Sequence, residues 1–165
     1  MDAVTLAAIH DIERLKYRYL RCVDLKLWDE LGECFTADAT ASYAGGNLEF
    51  SGRDAIIDFL RGALATQLTS HKCHHPEIDL TGPDRARGIW ALEDIVIDAD
   101  AGYTIRGAAY YTDDYVKVDD RWLIRHTGYK RVYEELEMRR PPEKGGGTIT
   151  ADWWKTDGRS KLGAQ

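Results

Sequence analysis

The sequence contains no run of about eighteen apolar residues, the shortest length that spans a membrane as a helix. Its cysteines, Cys22, Cys34 and Cys73, are odd in number and form no CxxC pair, so they do not indicate a disulfide framework. They are most simply free, buried thiols in a reducing cytoplasm. The first residues also lack a signal-peptide pattern, because polar and charged residues occupy positions 10, 11 and 13. We therefore expect a cytoplasmic protein with no membrane segment.

A basic surface is also missing. The 165 residues include 22 Lys and Arg against 28 Asp and Glu, which gives a formal net charge of -6. This balance argues against a general nucleic-acid binder, which needs a basic face. Gly45-Gly46 and the glycines at 145–147 lack the spacing of nucleotide-binding loops, and no serine lies in a nucleophile elbow. These absences favour a reaction without a cofactor.

Helical periodicity dominates the first part of the chain. Apolar residues recur at steps of three and four over residues 6–23, which predicts one amphipathic helix. A second helix is expected from Trp28 to about Thr36, and a third has Ile56 and Leu60 among its buried positions. Asp24 then lies at the elbow between the first two helices, where its side chain can point inward.

The second half of the chain has the pattern of strands. A short strand is expected at residues 39–43, and four long ones at 74–80, 85–97, 103–118 and 121–133. Helices followed by an antiparallel meander predict an α+β fold rather than a parallel α/β sheet. Strands of this length favour a strongly bent sheet, whose concave side is filled by the helices or by a ligand.

The composition changes after Met138. Residues 1–138 are predicted to form the domain, and residues 139–165 a linker rich in proline and glycine followed by a tail. Trp153 and Trp154 are too apolar for a freely solvated end. They either cap the mouth of a pocket or pack on a neighbouring subunit, and we favour the neighbour.

Several segments resemble the SnoaL-like family of nuclear transport factor 2-like (NTF2-like) proteins. They are YLRCVDLKLWDEL at residues 19–31, TSH at 69–71, HPEI at 75–78, and the hairpin that carries Gly107, Tyr111, Tyr115 and DDRWLI at 119–124. The resemblance covers roughly residues 11–132. It implies a cone-shaped α+β barrel, with the amino-terminal helices in the concave face of a bent antiparallel or mixed sheet around one ligand pocket.

Within that family the pattern is most similar to the scytalone dehydratases, with hexachlorocyclohexane dehydrochlorinases and bile-acid dehydratases as relatives. The resemblance implies that Asp24 and His71 are the catalytic pair. Tyr43 matches a pocket tyrosine of the scytalone enzymes, and Tyr19 matches a tyrosine of the bile-acid enzymes, five residues before the aspartate.

The chain departs from the scytalone pattern at three positions. Val23 replaces a tyrosine, Trp90 stands where a second histidine is expected, and Tyr111 replaces an asparagine. The aspartate–histidine pair is kept, while the residues that would recognise the substrate have changed. Scytalone itself is therefore not the expected substrate.

An elimination beside a carbonyl requires a base of near-neutral pKa, such as a histidine oriented by a carboxylate. Asp24 would bind one ring nitrogen of His71, and the other nitrogen would take the substrate proton. Tyr19 or Tyr43 could donate to the leaving oxygen or to the enolate. The simpler alternatives are that Asp24 caps the second helix and that His71 is a core histidine bonded to backbone.

Other polar clusters favour structural roles. His71 and His75 share a strand face that His74 does not, so three convergent metal ligands are difficult to assemble and no metal is expected. The adjacent acidic residues are expected to be solvated or bonded to arginine. They are Glu93, Asp94, Asp113 and Asp114, and the candidate partners are Arg106, Arg125 and Arg131.

On the last strand, alternation puts Trp122, Ile124 and His126 on one face and Arg125, Thr127, Tyr129 and Arg131 on the other. The family pattern turns the second set towards the pocket. Tyr129 is then a wall residue, Arg125 is paired at the rim, and His126 lies at the surface or an interface. Gly128 marks a bulge or a close backbone approach.

The sequence thus predicts a cofactor-independent lyase, a dehydratase that acts on a cyclic or polycyclic hydroxylated carbonyl compound. Asp24 and His71 are the base, Tyr19 and Tyr43 assist, and the pocket is walled by Trp90, Tyr111 and Tyr129. The alternatives are an isomerase or cyclase on the same scaffold, and a non-catalytic module that binds a small apolar or aromatic ligand. Self-association is expected, as a dimer or as a trimer.

Overall fold

The computed structural model describes residues 2–162, so Met1 and the last three residues of the predicted tail lie outside the described residues. The helices are α1 (Ala3–Leu25), α2 (Trp28–Gly32) and α3 (Arg53–Leu64). The strands are β1 (Phe35–Tyr43), β2 (Leu48–Ser51), β3 (Leu68–Gly82), β4 (Arg85–Asp98), β5 (Tyr103–Val118) and β6 (Arg121–Met138). Single 3₁₀ turns occur at Ala44–Gly46 and Pro142–Lys144.

Helix α1 supplies one wall of the interior. Asp2 caps its start by accepting a hydrogen bond from the Thr5 amide at 2.8 Å. The apolar stripe that includes Ile12, Tyr19 and Val23 is buried, and the helix packs on β3 and β6. The helix ends at Leu25, where Lys26 takes a left-handed backbone conformation with φ of 60°. Asp24 therefore lies in the last turn of α1.

The six strands form one curved, open sheet in the order β2-β1-β6-β5-β4-β3. Neighbouring strands are antiparallel except β1 and β6, which run parallel. The α+β class and the helix-lined bent sheet are confirmed. Edge strand β2 was not predicted.

Two predicted boundaries are wrong near the start of the sheet. The second helix ends at Gly32 instead of near Thr36, and the first strand begins at Phe35 instead of Ala39. Phe35 pairs with Ile124 of β6, so a long-range backbone ladder takes residues that local pattern alone assigned to a helix. Strands β3 and β6 are also longer than predicted, which places His71 within β3 and extends β6 to Met138.

A bulge in β6 corrects the expected alternation of that strand. Tyr115 pairs with Ile124 while Asp114 pairs with His126, so Arg125 is an extra residue. Trp122 and Ile124 before the bulge and Thr127 after it are all buried.

Gly128 marks the predicted close backbone approach. A Cβ atom there would lie 2.8 Å from the Ser42 carbonyl oxygen of β1. A larger residue would therefore disturb the parallel pairing of β1 with β6, in which Gly128 pairs with Ser42 itself.

The carboxy-terminal tail folds back on its own chain. The Trp154 ring borders a cleft with Leu68 and Ile97, where β3 begins and β4 ends, and lies 6.0 Å from the Lys26 ammonium. Trp154 does not line the central cavity described below. Packing of the tail on a neighbouring subunit stays a prediction. No helix within residues 2–162 has both the length and the apolar character needed to cross a membrane.

Candidate active site

A cavity of about 140 Å³ lies between α1, α3 and the concave face of the sheet. One part of its wall is aliphatic, formed by Leu20, Val23, Leu60, Leu64, Leu92 and Val96. Polar groups enter it from the aromatic and charged residues Tyr19, Tyr43, His71, Asp94, Tyr111, Tyr129 and Arg131. An apolar space with a few convergent polar groups is the usual form of a small-molecule site.

Asp24 and His71 are in direct contact. Oδ1 of Asp24 lies 2.7 Å from Nδ1 of His71, and Oδ2 accepts the His71 backbone amide at 2.9 Å. Thr69 adds a third hydrogen bond, from its hydroxyl to Oδ1 at 3.0 Å. The carboxylate of Asp24 is therefore held from β3, and it does not cap α2, whose N-cap position is Leu27 with no side-chain cap.

The contact with Asp24 fixes the tautomer of His71. A carboxylate only accepts hydrogen bonds, so in the neutral ring Nδ1 carries the hydrogen and Nε2 keeps its lone pair. Among residues 2–162, Nε2 of His71 has no hydrogen-bond partner, and its ring lines the cavity. The pair can thus present a base to a molecule in the cavity.

Several tyrosines line the same cavity as this base. Burial raises the pKa of Tyr19, Tyr43 and Tyr111 well above the usual range, so these hydroxyls stay protonated at neutral pH. Within the described residues the Tyr43 hydroxyl is buried and makes no hydrogen bond of normal geometry, although the Tyr19 hydroxyl is near enough to raise its pKa further. A buried unpaired hydroxyl is costly, and a ligand oxygen would satisfy it.

The tyrosine rings pack on one another. Tyr43 stacks on Tyr129 with 5.6 Å between ring centroids, and Tyr129 meets Tyr111 edge-on, also at 5.6 Å. This packing fixes the rings, so their hydroxyls are held in place before a ligand arrives. Tyr19, Tyr43, Tyr111 and Tyr129 are thus brought together as predicted site residues.

Arg131 is a site residue that the sequence analysis missed as such. Its guanidinium donates to both carboxylate oxygens of Asp94, with 3.0 Å from Nη2 to Oδ2, and lies 5.0 Å from the Tyr129 ring centre. Burial alone would lower the pKa of Arg131, but the hydrogen bonds and charge of Asp94 outweigh it and raise that pKa. The cavity wall therefore contains a fixed guanidinium–carboxylate pair. Alternation along β6 already placed Arg131 beside Tyr129 on one face of the strand.

Trp90 is placed outside the cavity. Its indole is fully buried and donates from Nε1 to the Tyr115 hydroxyl at 2.9 Å. Tyr115 in turn donates to Asp113 at 2.7 Å, and Asp113 is paired with Lys16 rather than with an arginine. Trp90 therefore belongs to a polar network in the core.

Of the other acidic residues, Asp94 has an arginine partner as predicted, and Asp114 pairs with Arg87, which was not among the expected ones. Glu93 lies 3.6 Å from the exposed His74. In the described part of the chain, no group of three His, Cys, Asp or Glu side chains is arranged to hold a metal ion. Cys22, Cys34 and Cys73 are free thiols, and only the first two are fully buried.

Comparison with known proteins shows which family the chain matches and which solved structures it resembles. The family profile of the SnoaL-like domain matches residues 4–128, which include α1 and most of the sheet. A candidate scytalone dehydratase from Novosphingobium aromaticivorans has a similar structure, with a TM-score of 0.77 and 26% identity over 85% of this chain and 94% of that one.

Two dehydrochlorinases have the same fold at lower identity. A type 2 hexachlorocyclohexane dehydrochlorinase (LinA) has a TM-score of 0.76 and 21% identity, over 86% of this chain and 99% of its own. The type 3 enzyme from Novosphingobium barchaimii has a TM-score of 0.73 and 19% identity, over 86% of this chain and 100% of its own.

Proposed function

The chain belongs to the SnoaL-like domain family, and from that premise we propose that it is a cofactor-independent lyase. Its substrate is a cyclic hydroxylated carbonyl compound, from which it removes water. The observation that carries the proposal is the Asp24–His71 pair, whose imidazole lines a cavity together with Tyr43. Within residues 2–162, the Tyr43 hydroxyl makes no hydrogen bond of normal geometry. Two structural relatives are named for elimination reactions, a dehydratase and a dehydrochlorinase.

The reaction begins with proton transfer to His71. Nε2 takes the proton from the carbon beside the substrate carbonyl, and the C–H electron pair forms an enolate. Asp24 stabilises the imidazolium through the 2.7 Å contact at Nδ1. The enolate then re-forms the carbonyl and expels the β-hydroxyl, which takes the proton from Nε2 and leaves as water.

The negative charge of the enolate oxygen requires donors that are already in place. The Tyr43 hydroxyl is suited to this task because it is protonated and makes no hydrogen bond of normal geometry within residues 2–162. The Arg131 guanidinium, held by Asp94 with Glu134 beside it, adds N–H groups at a fixed position rather than a net positive charge. Tyr19 and Tyr111 complete the aromatic wall of the cavity. Acid–base chemistry of this kind needs only groups of the protein.

The size of the cavity limits the reacting part of the substrate. A volume of about 140 Å³ is close to the space of about 150 Å³ that encloses a benzene ring. We therefore propose that one ring of the substrate enters the cavity. Further rings of a polycyclic substrate would extend past Leu48 and Phe59, which also line it.

An isomerase would use the same base and return the proton to another carbon of the ring. A binding module would not need His71 to be oriented. The contacts of Asp24 favour a catalytic role over the module, because the carboxylate is bonded to His71 instead of capping α2. Cytoplasmic location and assembly as a dimer or trimer stay predictions from the sequence.

The test is elimination from a panel of monocyclic β-hydroxy ketones, followed by the ultraviolet absorbance of the conjugated product. Asp24→Asn and His71→Gln should lower the rate by about 10²–10⁴-fold. His74→Gln is the matched control, because His74 lies outside the cavity and is exposed. Isomerised product without water loss would support the isomerase. Binding with no turnover of any panel member would support the module.

A further inference from the structure

Lys26 occupies an unusual position at the end of α1. Its backbone is left-handed, with φ of 60°, a conformation that glycine adopts freely and that costs other residues about 1–2 kcal/mol. Glycine is the common residue at this position of a helix end. A lysine held here against backbone preference points to a role for its side chain.

The side chain of Lys26 begins a chain of hydrogen bonds that ends at His71. Nζ of Lys26 lies 2.9 Å from Oγ1 of Thr69, and Thr69 donates to Oδ1 of Asp24 at 3.0 Å. That same oxygen of Asp24 contacts Nδ1 of His71. An ammonium group only donates, so the Thr69 oxygen must accept from Lys26, and its one hydrogen is left for Asp24.

We propose that Lys26 is a positioning residue of the Asp24–His71 pair and acts through the hydroxyl of Thr69. While Lys26 is charged, the Thr69 hydrogen points at Asp24 and holds Oδ1 in line with the His71 ring. The inference rests on the proposed function, since it gives this orientation its use in catalysis. Lys26 does not line the cavity.

The surroundings of Lys26 make the arrangement dependent on pH. Burial lowers the pKa of Lys26 to about 8, although the negative charge of Asp24 opposes the shift. The Trp154 ring of the tail lies 6.0 Å from Nζ of Lys26. The titratable residues next to Trp154 in the sequence are Asp152 and Lys155. From β3, the titratable group beyond Thr69 is His71.

Above about pH 8 the neutral amine of Lys26 can accept a hydrogen bond. The Thr69 hydrogen can then turn from Asp24 to Lys26. Asp24 loses a donor and accepts more strongly from Nδ1–H of His71. The His71 ring therefore senses the protonation of Lys26 although the two side chains do not touch.

The experiment is an NMR titration of the protein labelled with ¹⁵N in histidine, between about pH 6.5 and 9.5, without substrate. We expect the His71 ring signals to show an inflection at the Lys26 pKa of about 8, with Hδ1 moving downfield. Thr69→Val should abolish the inflection, and so should Lys26→Arg, whose guanidinium remains charged.

Lys26→Gly is the decisive variant, because glycine relieves the left-handed backbone and should not weaken the fold. It should also abolish the inflection. A wild-type titration without an inflection near pH 8, or one that persists in Lys26→Gly, would overturn the inference. Because the titration uses no substrate, its failure leaves the lyase proposal in place. Failure of the elimination panel, in turn, leaves the titration result intact.

Discussion

Nζ of Lys16 lies 2.7 Å from a carboxylate oxygen of Asp113, and neither side chain is exposed to solvent. Asp113 also accepts hydrogen bonds from Tyr115 and Thr127, both at 2.7 Å. The ammonium group lies 3.5 Å from the ring centre of Tyr111, which lines the cavity. A charged pair is thus enclosed in the core directly behind the wall of the site.

Removing one partner of this pair should strongly destabilise the fold. Lys16→Met leaves the Asp113 charge buried without its counterion, which costs about 3–5 kcal/mol of unfolding free energy. Urea unfolding followed by circular dichroism measures the loss. Lys130→Met, at an exposed position of β6, is the control and should change stability by no more than about 0.5 kcal/mol. A loss below about 1 kcal/mol for Lys16→Met would mean that the pair contributes little.

Tyr43→Phe should separate stability from activity. The Tyr43 hydroxyl is buried and makes no hydrogen bond of normal geometry within residues 2–162, so its removal should leave the unfolding free energy unchanged or raise it by about 1 kcal/mol. The same change should lower the elimination rate about 100-fold if the hydroxyl binds the enolate oxygen. Tyr110→Phe, on the exposed face of β5, should alter neither quantity. An active and more stable Tyr43→Phe variant would contradict the role of this hydroxyl.

Gly107→Ala should displace Arg131 without touching the Asp24–His71 pair. A Cβ atom at Gly107 would lie 2.7 Å from Nη1 of Arg131 and 3.0 Å from the Tyr133 carbonyl oxygen. We expect a stability loss of about 1–3 kcal/mol and a reduced elimination rate. Gly62→Ala is the matched control, because nothing lies within 4 Å of its added Cβ and alanine favours a helix by about 1 kcal/mol. Wild-type activity in Gly107→Ala would show that the position of Arg131 is unimportant.

Trp154→Ala should change the titration of Lys26. The indole helps to exclude water from the ammonium group, and exposure favours the charged form, so the pKa of Lys26 should rise from about 8 towards its ordinary value. The inflection in the His71 ring signals should therefore move to higher pH. Trp153→Ala is the control, since Trp153 is 59% exposed and makes no such contact with Lys26. An unshifted inflection in Trp154→Ala would exclude the tail from this role.

Sequence analysis was most accurate for helices and strands that have a long periodic pattern of apolar residues. The limits of β5 match the prediction, because a long run of aromatic and β-branched residues is bounded by clear turns. The contact between Asp24 and His71 was predicted as well, but through resemblance to a family and not from spacing. Strand β2 was missed because four residues with a mostly exposed pattern give little periodic signal.

Other parts of the site depend on which elements meet inside the concave face. The family resemblance assigned Trp90 to the pocket wall, and Trp90 is buried, yet the inward side of the sheet is shared between the cavity and the network around Asp113. Lys16 lies on the buried face of α1, but its partner is on β5, and no local pattern connects the two. The bulge at Arg125 likewise follows from pairing with β5.

The parallel pairing of β1 with β6 also sets the order in which the protein can fold. Thr40 and Ser42 pair with His126 and Gly128, so this part of the sheet can form only after β6 has been synthesised. Pairing between residues so far apart in sequence raises the contact order of the domain. Until then the α1 stripe has no β6 to cover it, and the nascent chain exposes apolar surface. The Asp24–His71 contact can form with β3 alone, but Arg131 arrives only with β6. A partly synthesised chain can therefore contain the Asp24–His71 pair before β6 and Arg131 complete the cavity.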